Sequence, residues 1–301
     1  MIREKFATTA GIALCCALAG AGLVGCDSTE PEAGTESSAP APEGGEGLFT
    51  GTEVISVEGR SVNVSCSGDP VAERPLVVLL HGGGDDLTTM ADLQETLSGA
   101  QGRVCSYDRL GAGGSDQPEG PQDLEGVGKT LTGVLDEVAG DAPVVLVGHS
   151  MGGLIAGRYA PDHQDRVQGL VLLDGTSPTA ATDLSARIPE SATGPAGELR
   201  EQTLAVFDGA NPEQVVFTDG EVRSASDIPV RVVQHGQRYL AEVPEYGDGL
   251  EEDWTAGQNQ WLALSGDSEL ITAENSGHYI HVDEPEVAVA AIEEVAARAA
   301  G

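Results

Sequence analysis

Pro143 to Gly153, P-V-V-L-V-G-H-S-M-G-G, is the stretch whose reading decides the fold. Val144 to Val147 is a continuous apolar run, as expected of a strand buried on both faces. It runs into Gly148-x-Ser150-x-Gly152, the single G-x-S-x-G of the chain. A sharp strand-to-helix turn forces such a serine into a strained backbone conformation, which is tolerated only when its neighbours are small. Gly148 and Gly152 remove the Cβ atoms that would clash. The turn lifts the Ser150 hydroxyl above the sheet edge. The helix that starts there supplies positive potential and a free N–H at Met151.

The same alternation extends in both directions. Val54 to Val57 and Ser61 to Cys66 alternate like a hairpin turning at Glu58-Gly59-Arg60. Leu76 to Leu80, Val104 to Tyr107, Leu170 to Leu173 and Val230 to Val233 read as buried strands, and Glu269 to Ala273 as a weaker one. Helices are predicted over Thr88–Ser98, Leu124–Ala139, Gly153–Tyr159, Glu251–Leu264 and Pro285–Ala299. Asp283 with Glu286 resembles a capping box, and Pro285 suits a first helical turn. Two leading antiparallel strands followed by alternating strand and helix predict an α/β chain with a doubly wound, mostly parallel sheet. Thr176 to Asp227 breaks the rhythm and reads as a small lid or cap, with helical patterning near Glu198 to Phe207.

Three more segments carry chemistry. Leu76 to Gly84 reads L-V-V-L-L-H-G-G-G, a buried strand running into glycines that let main-chain N–H groups approach a developing oxyanion. Arg103 to Asp116 reads R-V-C-S-Y-D-R-L-G-A-G-G-S-D. Ile271 to Pro285 reads I-T-A-E-N-S-G-H-Y-I-H-V-D-E-P. With Gly148 to Gly152 these four motifs, in this order, resemble the α/β-hydrolase superfamily from Leu76 to the C-terminus. The resemblance implies an eight-stranded, mostly parallel sheet with helices on both faces. It implies Ser150 as nucleophile, His278 as base, and the N–H groups of Gly83 and Met151 as the oxyanion hole. His81, Asp108, Arg109 and Ser115 then read as architectural, and His281 as packing.

The acid of the triad is open at this point. The family usually places it after the seventh strand, as H-G-x-x-D. Here Val230 to Tyr239 reads V-R-V-V-Q-H-G-Q-R-Y and lacks the aspartate. One repair is Asp174, after the sixth strand, in L-V-L-L-D-G-T. The other is the loop Pro244 to Asp253, offering Asp248, Glu251, Glu252 or Asp253. Asp174 is preferred. The acid would hold the His278 tautomer and stabilise its imidazolium.

The N-terminus reads as a targeting segment over residues 1–25. Arg3 and Lys5 precede an apolar stretch, Ala10 to Val24, shorter than a membrane-spanning helix. Leu23-Val24-Gly25-Cys26 resembles the lipobox of bacterial lipoproteins, which implies cleavage before Cys26 and a diacylglycerol on its thiol. Residues 26–47 contain small, polar, proline and acidic residues and read as a disordered tether. The expected product is an exported protein held to the bacterial membrane by the lipid at Cys26, with its enzyme domain over 48–301. Of five cysteines, Cys15 and Cys16 leave with the signal and Cys26 takes lipid. Cys66 and Cys105 remain, and the strand order of the resembled fold puts them on adjacent strands, where a disulfide fits.

The formal charge of −34 repels nucleic acid and anionic headgroups, so neither is expected as a partner. No cofactor and no metal are expected, since no His/Cys ligand spacing appears. The implied chemistry is acyl transfer from a small ester-like substrate to water. Transfer to another acceptor, cleavage of a peptide or amide bond, and a non-catalytic binding member of the fold are the alternatives. The sequence leaves the oligomeric state open.

Overall fold

The computed structural model describes residues 48–300. The predicted signal segment, Cys26 and the tether lie outside that range. Eight strands form one sheet: β1 (Gly51–Val57), β2 (Arg60–Ser67), β3 (Leu76–Leu80), β4 (Val104–Tyr107), β5 (Val144–His149), β6 (Val167–Leu173), β7 (Val230–His235) and β8 (Ser268–Ala273). Their order is β1-β2-β4-β3-β5-β6-β7-β8. The β1–β2 and β2–β4 pairings are antiparallel and the others parallel.

Every residue of β3, β4 and β5 is buried, because helices cover both faces. Alternate side chains serve opposite cores. Leu76, Val78 and Leu80 of β3 join Val144 and Leu146 of β5 in one apolar cluster. Val77 and Leu79 join Val145 and Val147 in the other. Helices α2 (Leu124–Ala139) and α3 (Met151–Tyr159) pack on the first face. Helices α1 (Ala91–Gln101) and α8 (Pro285–Ala299) pack on the second.

The leading hairpin closes through two residues with positive φ, Glu58 at 50° and Gly59 at 80°, so Arg60 belongs to β2. This mirror-image turn matches the twist of paired strands. Cys66 lies directly opposite Cys105 in the β2–β4 ladder, and the two form a disulfide.

Two local expectations differ from the structure. The predicted capping box at Asp283 does not form. Asp283 accepts from the Gly277 N–H at 3.0 Å, so it braces the loop before the helix α7 (Ile280–Asp283) instead of capping α8. The excursion after β6 holds two helices, α4 (Ala180–Arg187) and α5 (Gly194–Phe207), of which the sequence suggested only the second. The excursion is not a separate flap. Leu184, Ile188 and Ala196 share a third apolar cluster with Leu240, Val243 and Leu250. The last of these lies on α6 (Gly247–Trp261), so the cap is built from the segments after both β6 and β7.

Candidate active site

Ser150 stands at the C-terminal end of β5, between His149 and the first residue of α3, with φ 51°. That left-handed conformation is strained for a serine. The glycines around it explain why the bend is possible. A Cβ on Gly148 would run into the main chain of Gly152, and one on Gly152 into the Leu80 carbonyl. The bend is also tied to the neighbouring strand. Ser150 N–H donates to Leu173 O at 3.1 Å, and Thr176 N–H donates to Ser150 O at 3.0 Å. Two residues lie between those anchors, Gly175 and, directly after β6, Asp174 at its own positive φ of 45°.

Asp174 is fully buried. Its Oδ2 accepts from His278 Nδ1 at 2.7 Å. This hydrogen bond puts the proton of the neutral His278 ring on Nδ1 and leaves Nε2 as the basic nitrogen. His278 is carried by a loop with several braces besides Asp283. Asn275 N–H donates to Glu284 at 2.7 Å, and Gly236 and Gln237 N–H both donate to Ser276 O. His149, the residue before Ser150, donates from Nε2 to His278 O at 3.0 Å. Burial, and then the nearby His278, keep His149 neutral, consistent with that single ring proton. The two imidazole centroids are 4.6 Å apart. His278 is therefore held beside the bend that carries Ser150. Among the described residues no hydrogen bond joins the Ser150 hydroxyl to His278.

The other acids considered after β7 are engaged elsewhere. Asp248 pairs with Arg238 at 2.7 Å on the surface, and Asp253 and Glu252 pair with Arg187. Glu251 comes nearer but meets a different ring. His235 Nε2 is 3.0 Å from Glu251, and His235 Nδ1 is 2.9 Å from Asp174. The main-chain N–H of His235 and Trp254 Nε1–H also donate to Asp174 Oδ1, at 3.1 and 2.8 Å. Burial alone would raise the Asp174 carboxyl, but hydrogen bonds from His235 and His278 outweigh it and hold the group below the ordinary carboxylate range. His235 and Trp254 were not singled out from the sequence. The one signal was that H-G of the usual H-G-x-x-D is kept at His235-Gly236 while its aspartate is gone.

The glycine loop after β3 faces the same bend. A Cβ on Gly83 would lie 3.4 Å from Met151 Sδ, so the two residues expected to donate to an oxyanion are neighbours. Met151 opens α3, and the first N–H groups of a helix have no acceptor within it. The loop is fixed from behind by Arg109. Its guanidinium donates to His81 O at 2.7 Å and Gly82 O at 2.8 Å, and it pairs with Glu213 at 2.5 Å. His81 is buried, and burial followed by Arg109 lowers its basicity strongly, so it is a neutral part of this support. Asp108 also serves architecture, accepting from the N–H groups of Leu87 and Gly114 and from Asn63. His281 is buried against His149, with ring centroids 4.8 Å apart.

Residues 75–277 match the family described as alpha/beta hydrolase fold. The chain belongs to the α/β-hydrolase family. This α/β hydrolase is 28% identical to the protein YqjL of Bacillus subtilis (strain 168) over 208 residues, covering 68% of the chain and 76% of YqjL. It is 32% identical to the human (lyso)-N-acylphosphatidylethanolamine lipase over 105 residues, 34% of the chain and only 30% of the lipase. The enol-lactonase of Burkholderia xenovorans LB400 has the same fold, with a TM-score of 0.57 at 19% identity over 81% of this chain and 99% of that one.

Proposed function

We propose that this α/β hydrolase cleaves carboxylic esters through an acyl-enzyme on Ser150. The observation that carries the reading is the 2.7 Å hydrogen bond between Asp174 and His278, beside a serine at the strand-to-helix bend. In this scheme His278 Nε2 removes the hydroxyl proton as Ser150 Oγ attacks the ester carbonyl carbon. The carbonyl electrons move onto oxygen, where the N–H groups of Gly83 and Met151 receive them. His278 returns the proton to the departing alkoxide. Water, deprotonated by the same imidazole, then releases the acid and restores Ser150. Asp174 keeps the ring oriented and stabilises the imidazolium at both steps. The similarity to a lipase supports esters as the bond type.

The test is fluorophosphonate labelling of the wild type and of Ser150→Ala, followed by a chain-length series of p-nitrophenyl esters beside matching anilides. Labelling that depends on Ser150, with ester turnover exceeding anilide turnover, is the expected result. Absence of labelling in folded wild type would reject the scheme.

We also propose that the enzyme is exported and held to the membrane by a lipid on Cys26. The support is the Leu23-Val24-Gly25-Cys26 pattern after a short apolar stretch. Incorporation of an alkyne fatty acid, lost in Cys26→Ala, is the corresponding test.

A further inference from the structure

His235 ends β7 and meets a different carboxylate at each ring nitrogen. Nδ1 lies 2.9 Å from both Asp174 oxygens, and Nε2 lies 3.0 Å from Glu251 Oε2. The three side chains are 0%, 4% and 8% exposed for Asp174, His235 and Glu251, so water cannot screen them. A neutral imidazole has one N–H and one lone pair, and here the lone pair would face a buried carboxylate. Two N–H donors satisfy both contacts, which makes His235 a cation between two anions. Glu251 is held for this task, since its Oε1 accepts from the N–H groups of Leu240 and Ala241 at 2.7 and 3.1 Å.

We propose that His235 and Glu251 are positioning residues that together set the charge behind the His278 base. The proposal rests on the reading of Asp174 as the triad acid. An acid works by offering one negative charge to the imidazolium formed during catalysis. Asp174 with a cation at its back would present a nearly neutral pair. Glu251 restores one net negative charge to the buried group. His235, in turn, holds the Asp174 carboxylate by contacting both of its oxygens, while His278 meets Oδ2.

The other groups facing His235 do not change the sign. Tyr239 lies tilted beside the ring, with centroids 4.7 Å apart, and Trp254 lies at 5.8 Å. His278 meets Asp174 at Oδ2. Burial opposes the charge on His235, but the hydrogen bonds to Asp174 and Glu251 outweigh it and push the imidazole pKa up to about 9.

The test uses the full chain and two variants, His235→Gln and Glu251→Gln, with folding checked by circular dichroism. Imidazole ¹⁵N NMR of wild type reads the His235 charge without any substrate. His235 should be imidazolium at pH 7, and a neutral ring there would overturn the proposal even if neither variant folds. The acidic limb of kcat/KM against pH, read with p-nitrophenyl butyrate, should move in opposite directions. Loss of the cation in His235→Gln moves it to higher pH, and loss of the anion in Glu251→Gln moves it to lower pH, each by about one unit. A purely structural role would lower kcat/KM without such a pair of shifts. Folded variants whose limbs stay fixed or move the same way would overturn the proposal. Failure of Ser150 to react with fluorophosphonate would instead reject the ester-hydrolysis scheme and leave the NMR result standing.

Discussion

Arg109 and Glu213 lie 104 residues apart and form an ion pair at 2.5 Å, with 2% and 1% of their side chains exposed. Arg109 follows β4 and supports the carbonyls of His81 and Gly82, while Glu213 belongs to the excursion after β6. The pair therefore fastens the cap segment to the back of the oxyanion loop. Removing one partner leaves the other charge buried without compensation. Glu213→Ala should cost about 3–5 kcal/mol. Urea denaturation would measure this. Under the proposed scheme, turnover of p-nitrophenyl esters should fall beyond the loss of folded protein, because Arg109 would no longer be held against the loop.

Asp174→Asn should lower kcat on the order of 10⁴-fold, since the amide would present a donor to His278 and favour the wrong tautomer. Asp248→Asn should change kcat little, because Asp248 pairs with Arg238 at the surface. Steady-state kinetics on both variants decides the matter, and equal losses would exclude Asp174 as the acid.

The disulfide between Cys66 and Cys105 closes a separation of 39 residues. Chain entropy puts its contribution at about 4 kcal/mol. Cys66→Ser with Cys105→Ser should lower the urea midpoint accordingly, and a reductant should do the same to wild type but not to the double variant.

The His235 cluster gives stability a pH dependence of defined sign. The folded value of His235 is raised to about 9, above the ordinary 6.5 of a free imidazole. Its contribution is complete below pH 6.5 and is lost as pH rises through 9. Asp174, held below its ordinary range, contributes above that range and loses its contribution in acid. Thermal melts should show falling stability between pH 7 and 9.5, and His235→Gln should flatten that slope.

Buried parallel strands were the most legible part of the chain. Leu76–Leu80 and Val104–Tyr107 have the same bounds in sequence and structure, because helices on both faces favour apolar side chains between turns, and the one hydroxyl of serine there, Ser106, is satisfied by Gln94. Strand ends were less legible. β5 runs on through Gly148 and His149, and β6 starts at Val167, where hydrogen bonding to neighbours outweighs local polarity. Ser150, His278 and the glycine loop could be read because each sits in a short contiguous pattern. The other partners of Asp174 could not. His235 and Trp254 lie 61 and 80 residues away from it; the pairing of β6 with β7 brings the first to it, and the placement of α6 after β7 brings the second. Asp283 misled for a similar reason. Its spacing to Glu286 fits a cap, but the His278 loop reaches it first.

Gly51 pairs with Cys66, and Cys66 pairs with Cys105 near the start of β4, so the hairpin begins at the pole of the sheet opposite Ser150, Asp174 and His278. Any attachment made through the chain ahead of Leu48 joins the body at that rear pole. A support coupled there would leave the end of the sheet that carries Ser150, Asp174 and His278 as the end away from the point of attachment.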